Sequence, residues 1–167
     1  MTVGEGIAGA AFTLRDAGPA DLPEILRLVR ELAEYERLGH AAVATEGDFD
    51  RLLFGPAPLL HAVLAEREGR VVGGALWYNN VSTFTGRPGI HLEDVYVEPR
   101  YRGLGIGRAF FRHLARLALE RGWARLDWQV LDWNEPAIRF YEGLGAAALD
   151  DWRGRRVSGD ALRRLAE

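Results

Sequence analysis

Residues 100–108 read Arg-Tyr-Arg-Gly-Leu-Gly-Ile-Gly-Arg and follow the apolar stretch Val95-Tyr96-Val97. Alternating glycines that open a helix suit an anion, because without Cβ atoms at Gly103, Gly105 and Gly107 the backbone approaches a phosphate closely. The first helical turn, starting around Leu104 and Ile106, then points unpaired N–H groups and a partial positive charge at it. Arg102 and Arg108 add charge on either side. Just upstream, Glu93 and Asp94 sit side by side within a strand, where acids are depleted. Alternation sends them to opposite faces, so at least one is expected to face a cleft. The same pair also fits a plainer arrangement in which one acid meets an arginine and the other lies at a sheet edge. Downstream, Leu131-Asp132-Trp133-Asn134-Glu135-Pro136 ends a strand and begins a helix that carries Phe140 and Tyr141. Asn134 as helix cap and Trp133 with Phe140 as packing residues account for this segment locally, and capping is compatible with ligand contact.

The spacing sorts the phosphate-binding loops. A nucleotide-triphosphate loop ends in Gly-Lys-Ser/Thr, whereas Gly107 is followed by Arg108 and Ala109. A dinucleotide fingerprint needs G-x-G-x-x-G with an acid about 20 residues on; Asp127 or Asp132 meets the second condition, but the glycines alternate strictly. Only about sixty residues follow the loop, too few for a doubly wound dinucleotide domain. An Arg-x-x-Gly-x-Gly loop over residues 102–107 remains, beside the simpler possibility of a glycine-rich turn joining strand to helix.

Upstream, Phe12-Thr13-Leu14-Arg15 alternates as a strand, and Asp21 with Glu24 reads as a capping pair. Leu22, Ile25, Leu26, Val29 and Leu32 form one helical stripe. Thr45 with Asp48 marks a second, shorter helix. Residues 60–66 and 71–78 read as a hairpin turned at Arg67-Glu68-Gly69-Arg70, and residues 79–88 as a polar loop. A strand follows at 89–98, then a helix at 104–121 with Phe111, Leu114, Ala115 and Ala118 inward and Gly122 at its end. Residues 124–131 return as a parallel strand, Asn134 caps a helix through Tyr141, 147–157 holds one or two strands, and a helix closes the chain from Asp160. The fold class is α/β: a mixed sheet with helices on both faces.

The 167 residues fit one domain at 12–167 after a loose, Gly- and Ala-rich leader at 1–11. There is no cysteine, hence no disulfide, thiolate-bound zinc or thiol nucleophile in this chain. The four histidines lack metal-ligand spacing, so no metal is expected. A net charge of −3 gives no basic footprint for nucleic acid. The apolar runs are strand-sized, so no membrane association is expected and the location is read as cytoplasmic.

The loop at 102–107 resembles the pyrophosphate loop of the GNAT N-acetyltransferases. Together with Ile25-Leu26-Arg27-Leu28, Glu31-Leu32-Ala33-Glu34-Tyr35-Glu36, Leu92-Glu93-Asp94, Trp133-Asn134-Glu135-Pro136-Ala137-Ile138 and Phe140-Tyr141, it is similar to the diamine (spermidine/spermine) and thialysine N-acetyltransferases, from Phe12 onward. The resemblance implies a GNAT fold whose sheet splays in the middle, with acetyl-CoA between the strands at 89–98 and 124–131. Its pantetheine arm would pair with the Val95-Tyr96-Val97 backbone, its pyrophosphate would rest on Arg102, Gly103, Leu104, Gly105, Ile106, Gly107 and Arg108, and Asn134 and Tyr141 would also meet it. Tyr141 matches the family's general acid, Glu93 its general base acting through water, and Asp94 a substrate-contacting acid.

The implied chemistry is consistent. A primary amine of pKa about 10.4 is neutral to only about one part in 2,500 at pH 7, a cost of roughly 4.6 kcal/mol before attack. An acid beside it attracts the cation and then helps remove its proton. The expected protein is a homodimeric, acetyl-CoA-dependent N-acetyltransferase of a small-molecule amine, such as a di- or polyamine or a lysine-like amino acid, reacting by direct attack in a ternary complex. A protein lysine or N-terminal acetyltransferase and a catalytically silent acyl-CoA sensor remain open. The N-terminal leader, residues 79–86 and the tail after Asp151 depart from the animal diamine enzymes and are the expected lining of the acceptor site and dimer contact.

Overall fold

A computed structural model describes residues 12–167; the expected leader at 1–11 lies outside them. The chain divides into two compact units, one running to Leu131 and the other Asp132–Glu167. The first contains β1 (Thr13–Asp16), α1 (Leu22–Tyr35), α2 (Glu46–Phe54), β2 (His61–Arg67), β3 (Arg70–Ser82), β4 (Arg87–Val97), α3 (Ile106–Glu120) and β5 (Leu126–Asp127). The strands lie in chain order, antiparallel from β1 to β4, with β5 parallel to β4.

Helix α1 forms where its apolar stripe demands. Ile25, Leu26 and Leu28 are buried and join Phe49 and Leu53 of α2, Leu64, Leu76 and Tyr96 in one core cluster. The opposite face of β3 carries Trp77, whose ring meets that of Trp123, just beyond α3, edge-on at 6.3 Å. Residues 71–77 of β3 are all buried, because helices cover the sheet on both faces. The β2–β3 turn places Glu68 and Gly69 both in the left-handed region, at φ 54° and 74°, matching the twist of a two-residue hairpin.

Several local expectations change. Asp21 precedes α1 but does not cap it: its carboxylate accepts from the Gly18 N–H at 2.8 Å and from Arg15, while Glu24 pairs with Arg27. Thr45 and Asp48 do form a reciprocal capping box. The polar loop at 79–88 is mostly strand, because β3 and β4 pair as far as Ser82↔Arg87. The strand at 124–131 shrinks to Leu126–Asp127.

The second unit holds α4 (Glu135–Glu142) and α5 (Gly159–Leu165), and residues 147–157 form no strand. Asn134 caps α4, its Oδ1 accepting from the Ala137 N–H at 3.4 Å. Asn134 is the one buried residue in this unit, which leaves Leu149, Trp152, Leu162 and Leu165 exposed.

Candidate active site

The site is built along β4. Leu76 pairs with Asp94 and Trp77 with Leu92, so Glu93 is an extra residue opposite none: a β-bulge. The bulge overturns the simple alternation expected of the acids. His91 pairs with Tyr78, and Asp94 with Leu76; both partners lie on the face that Leu76 presents to α1. Glu93 remains beside His91, its Oε2 3.8 Å from the imidazole Nε2. Both carboxylates thereby reach one neighbourhood, and the Tyr78 and His91 rings stack at 4.9 Å beside Glu93.

Burial and two like charges set the protonation of Asp94. Its carboxyl is pushed up to about 6, chiefly by desolvation and then by Glu93 and Glu36. Glu36, at the end of α1, is itself raised by burial. The hydroxyl of Tyr78 is likewise raised by burial and by the charge of Glu93. Glu36 is a site residue that nothing in its local sequence marks. Its position at the end of an amphipathic helix gives no local signal, and only the antiparallel packing of α1 along β4 brings it to Asp94. A separate cleft of about 440 Å³ is floored by Tyr96 and walled by Arg30, Glu31, Glu34 and Glu46; the acid pair does not line it.

The other edge of β4 is open. β5 pairs with it only at Ile90↔Leu126 and His91↔Asp127, leaving residues 92–97 without a neighbouring strand on that side. The Glu98 N–H donates to the Val72 carbonyl of β3 at 3.0 Å. Successive residues of a strand aim their backbone groups to opposite sides, so those of Val97 and Val95 point to the open edge. The Val97 carbonyl accepts from Arg102 Nε at 3.0 Å.

The open edge leads into the glycine loop. Gly103 and Gly105 adopt φ 78° and 84°, conformations that a side chain would strain, and a Cβ at either would meet nothing within 4 Å. Gly105 is the N-cap of the 15-residue α3 with no side-chain cap, and the first turn of a helix directs its amides and the positive end of the helix dipole toward an anion. Ile106 is buried and anchors that turn, whereas Leu104 is partly exposed beside it. The Arg102 guanidinium lies over the Tyr35 and Tyr96 rings at 4.9 and 5.7 Å, bracing the loop from the α1 side. In the second unit, Tyr141 lies on α4 with its ring 5.4 Å from Phe140.

No helix among the described residues is long and apolar enough to cross a membrane. Comparison with known proteins is consistent with this architecture. The acetyltransferase (GNAT) family model matches residues 24–146. Thialysine N-epsilon-acetyltransferases of Mus musculus and Bos taurus are 39% and 41% identical to the chain, covering 94% of it and 98% of their own length. An L-ornithine N5-acetyltransferase of Arabidopsis thaliana is 29% identical over 91% of this chain and 86% of its own. Among solved structures, an integron cassette protein of V. cholerae superposes with a TM-score of 0.79 at 25% identity, over 95% of this chain and 99% of that one. A family match across most of the chain and relatives about 40% identical over nearly its full length show that the chain belongs to the GNAT family of acetyltransferases.

Proposed function

We propose that this enzyme moves the acetyl group of acetyl-CoA to the side-chain amine of a small diamine or diamino acid, by direct attack in a ternary complex. The observation that carries this reading is the bulge at Glu93. It gathers two carboxylates and Glu36 at the α1 face of β4, next to an open strand edge that ends in an anion-binding loop. The relatives named for thialysine and ornithine act on amines of this size.

In this reading the acyl-CoA lies along residues 92–97, hydrogen-bonding to the backbone of Val95 and to the amide of Val97, with its pyrophosphate on the first turn of α3. The acid field of Glu36, Glu93 and Asp94 attracts the ammonium group. Asp94 holds the cation, and Glu93 takes its proton through water, the step that meets the roughly 4.6 kcal/mol cost of forming free amine at pH 7. The nitrogen lone pair forms the new C–N bond as the C–S bond breaks, and backbone N–H groups on the open edge stabilise the oxyanion. Tyr141 protonates the departing thiolate and is reprotonated by the second proton that the nitrogen loses on becoming an amide, a role that rests on the family resemblance. A thiol's pKa near 8.5 makes the thiolate a fair leaving group, so positioning outweighs this step.

Residues 12–167 work as one domain, a proposal supported by the family match, which runs across Leu131 without interruption. The exposed apolar residues of the second unit, among them Trp152 and Leu165, are our candidates for a homodimer contact.

The test is thiol release from acetyl-CoA with a panel of thialysine, ornithine, lysine, spermidine and a lysine peptide. Diamino acids or diamines should turn over fastest. Preference for the peptide would overturn the acceptor class. Gly105→Asp puts a carboxylate and a Cβ where the pyrophosphate must lie and should abolish the thermal shift given by acetyl-CoA; an undiminished shift would overturn the loop assignment.

A further inference from the structure

Glu98 lies between the end of β4 and the turn at Pro99–Tyr101 that enters the glycine loop, and it has no part in the chemistry proposed for the site. Its side chain is 8% exposed, yet it carries a charge. Glu98 Oε1 accepts from Arg27 Nη1 at 2.9 Å and Arg70 Nη2 at 3.1 Å, and Oε2 from Arg100 Nε at 3.2 Å. Arg27 also donates to Glu24, Glu31 and the Val71 carbonyl. One buried carboxylate therefore joins α1, the start of β3 and the turn at Pro99–Tyr101. The Tyr101 N–H returns to the Glu98 carbonyl at 2.9 Å, tightening that turn.

We propose that Glu98 is a positioning residue for acyl-CoA: it fixes where, and in which direction, the glycine loop leaves the sheet. The inference rests on the assignment of the loop to acetyl-CoA. A buried charge with three guanidinium partners is a poor device for stability alone, since desolvation offsets much of the attraction. It is a good device for holding three separate elements at fixed distances. The loop itself, with two left-handed glycines, has little rigidity of its own.

The charge of Glu98 and its placement of the loop act on acyl-CoA binding in opposite directions. Arg27, Arg70 and Arg100 balance Glu24, Glu31 and Glu98, so Glu98→Gln leaves one extra positive charge near the loop. If charge alone matters, the polyanionic acyl-CoA binds more tightly. If Glu98 positions the loop, binding weakens, because small misplacements of a binding element cost roughly tenfold or more. The experiment measures acetyl-CoA affinity by calorimetry and steady-state kinetics for the parent, Glu98→Gln and Glu98→Asp. Expected for Glu98→Gln is an acetyl-CoA Kd and KM raised roughly tenfold, with kcat and the amine KM within about twofold of the parent. Glu98→Asp keeps the charge but shortens the reach, so it should fold normally and give an intermediate Kd; it serves as the readout if the glutamine variant fails to fold. Unchanged or tighter acetyl-CoA binding in a folded Glu98 variant overturns the positioning role. No binding by the parent overturns this role and the acetyl-CoA assignment together.

Discussion

Asp94→Asn should make this protein more stable at neutral pH, by an amount that depends on pH in a definite way. Burial and the charges of Glu93 and Glu36 push the Asp94 carboxyl up to about 6, some two units above an unfolded aspartate at ~4, and each unit is worth 1.36 kcal/mol. Because the folded pKa is the higher one, the folded state binds this proton more tightly than the unfolded chain. Stability therefore falls as pH rises from about 4 to 6, and the full penalty of about 3 kcal/mol is present above pH 6. A neutral asparagine of the same shape removes that penalty. The variant should gain about 3 kcal/mol at about pH 7.5 and only about 1 kcal/mol at about pH 4.5. For a chain of this length the gain at the higher pH corresponds to a Tm raised by about 6–12 °C. Urea unfolding of parent and variant at the two pH values reads this directly. A loss of stability at the higher pH, or a gain that is the same at both, would show that Asp94 is not held in a disfavoured ionised state. The same variant should raise KM for cationic acceptors and leave that for acetyl-CoA unchanged, stability given up for binding a cation.

Glu93→Gln should depress kcat/KM most at low pH, where an unassisted amine is almost wholly protonated, and the loss should shrink toward the amine's own pKa; parallel pH profiles within about twofold of the parent would remove Glu93 as base. Tyr141→Phe should lower kcat by ~10–10³-fold with little change in either KM, and an unchanged kcat would leave the thiolate to depart unassisted. Light scattering at micromolar concentration should return twice the chain mass, and a monomer mass would refute the homodimer.

What was legible in the sequence is what depends on neighbours along the chain. The loop at Gly103–Gly105 needs left-handed backbone at two nearby positions, so its glycines declare it. Thr45 and Asn134 announce their helices because a cap is a contact across three residues. The stripe of α1 follows from 3.6-residue periodicity. The family resemblance was likewise carried by short local motifs, and the match over residues 24–146 bears it out. What escaped reading depends on pairing between distant segments. Whether Glu93 and Asp94 face apart or together is decided by one extra residue in the β3–β4 register, and a one-residue slip is invisible in either strand alone. The length of β5 depends on where β4 diverges from it, not on the propensities of residues 124–131. The approach of Glu36 to Asp94 joins residues 58 positions apart and exists only because α1 packs antiparallel along β4. Local chemistry named the glycine loop and the acids, while tertiary packing decided how deeply Asp94 is buried and how closely the charges crowd it, and through both set its proton affinity.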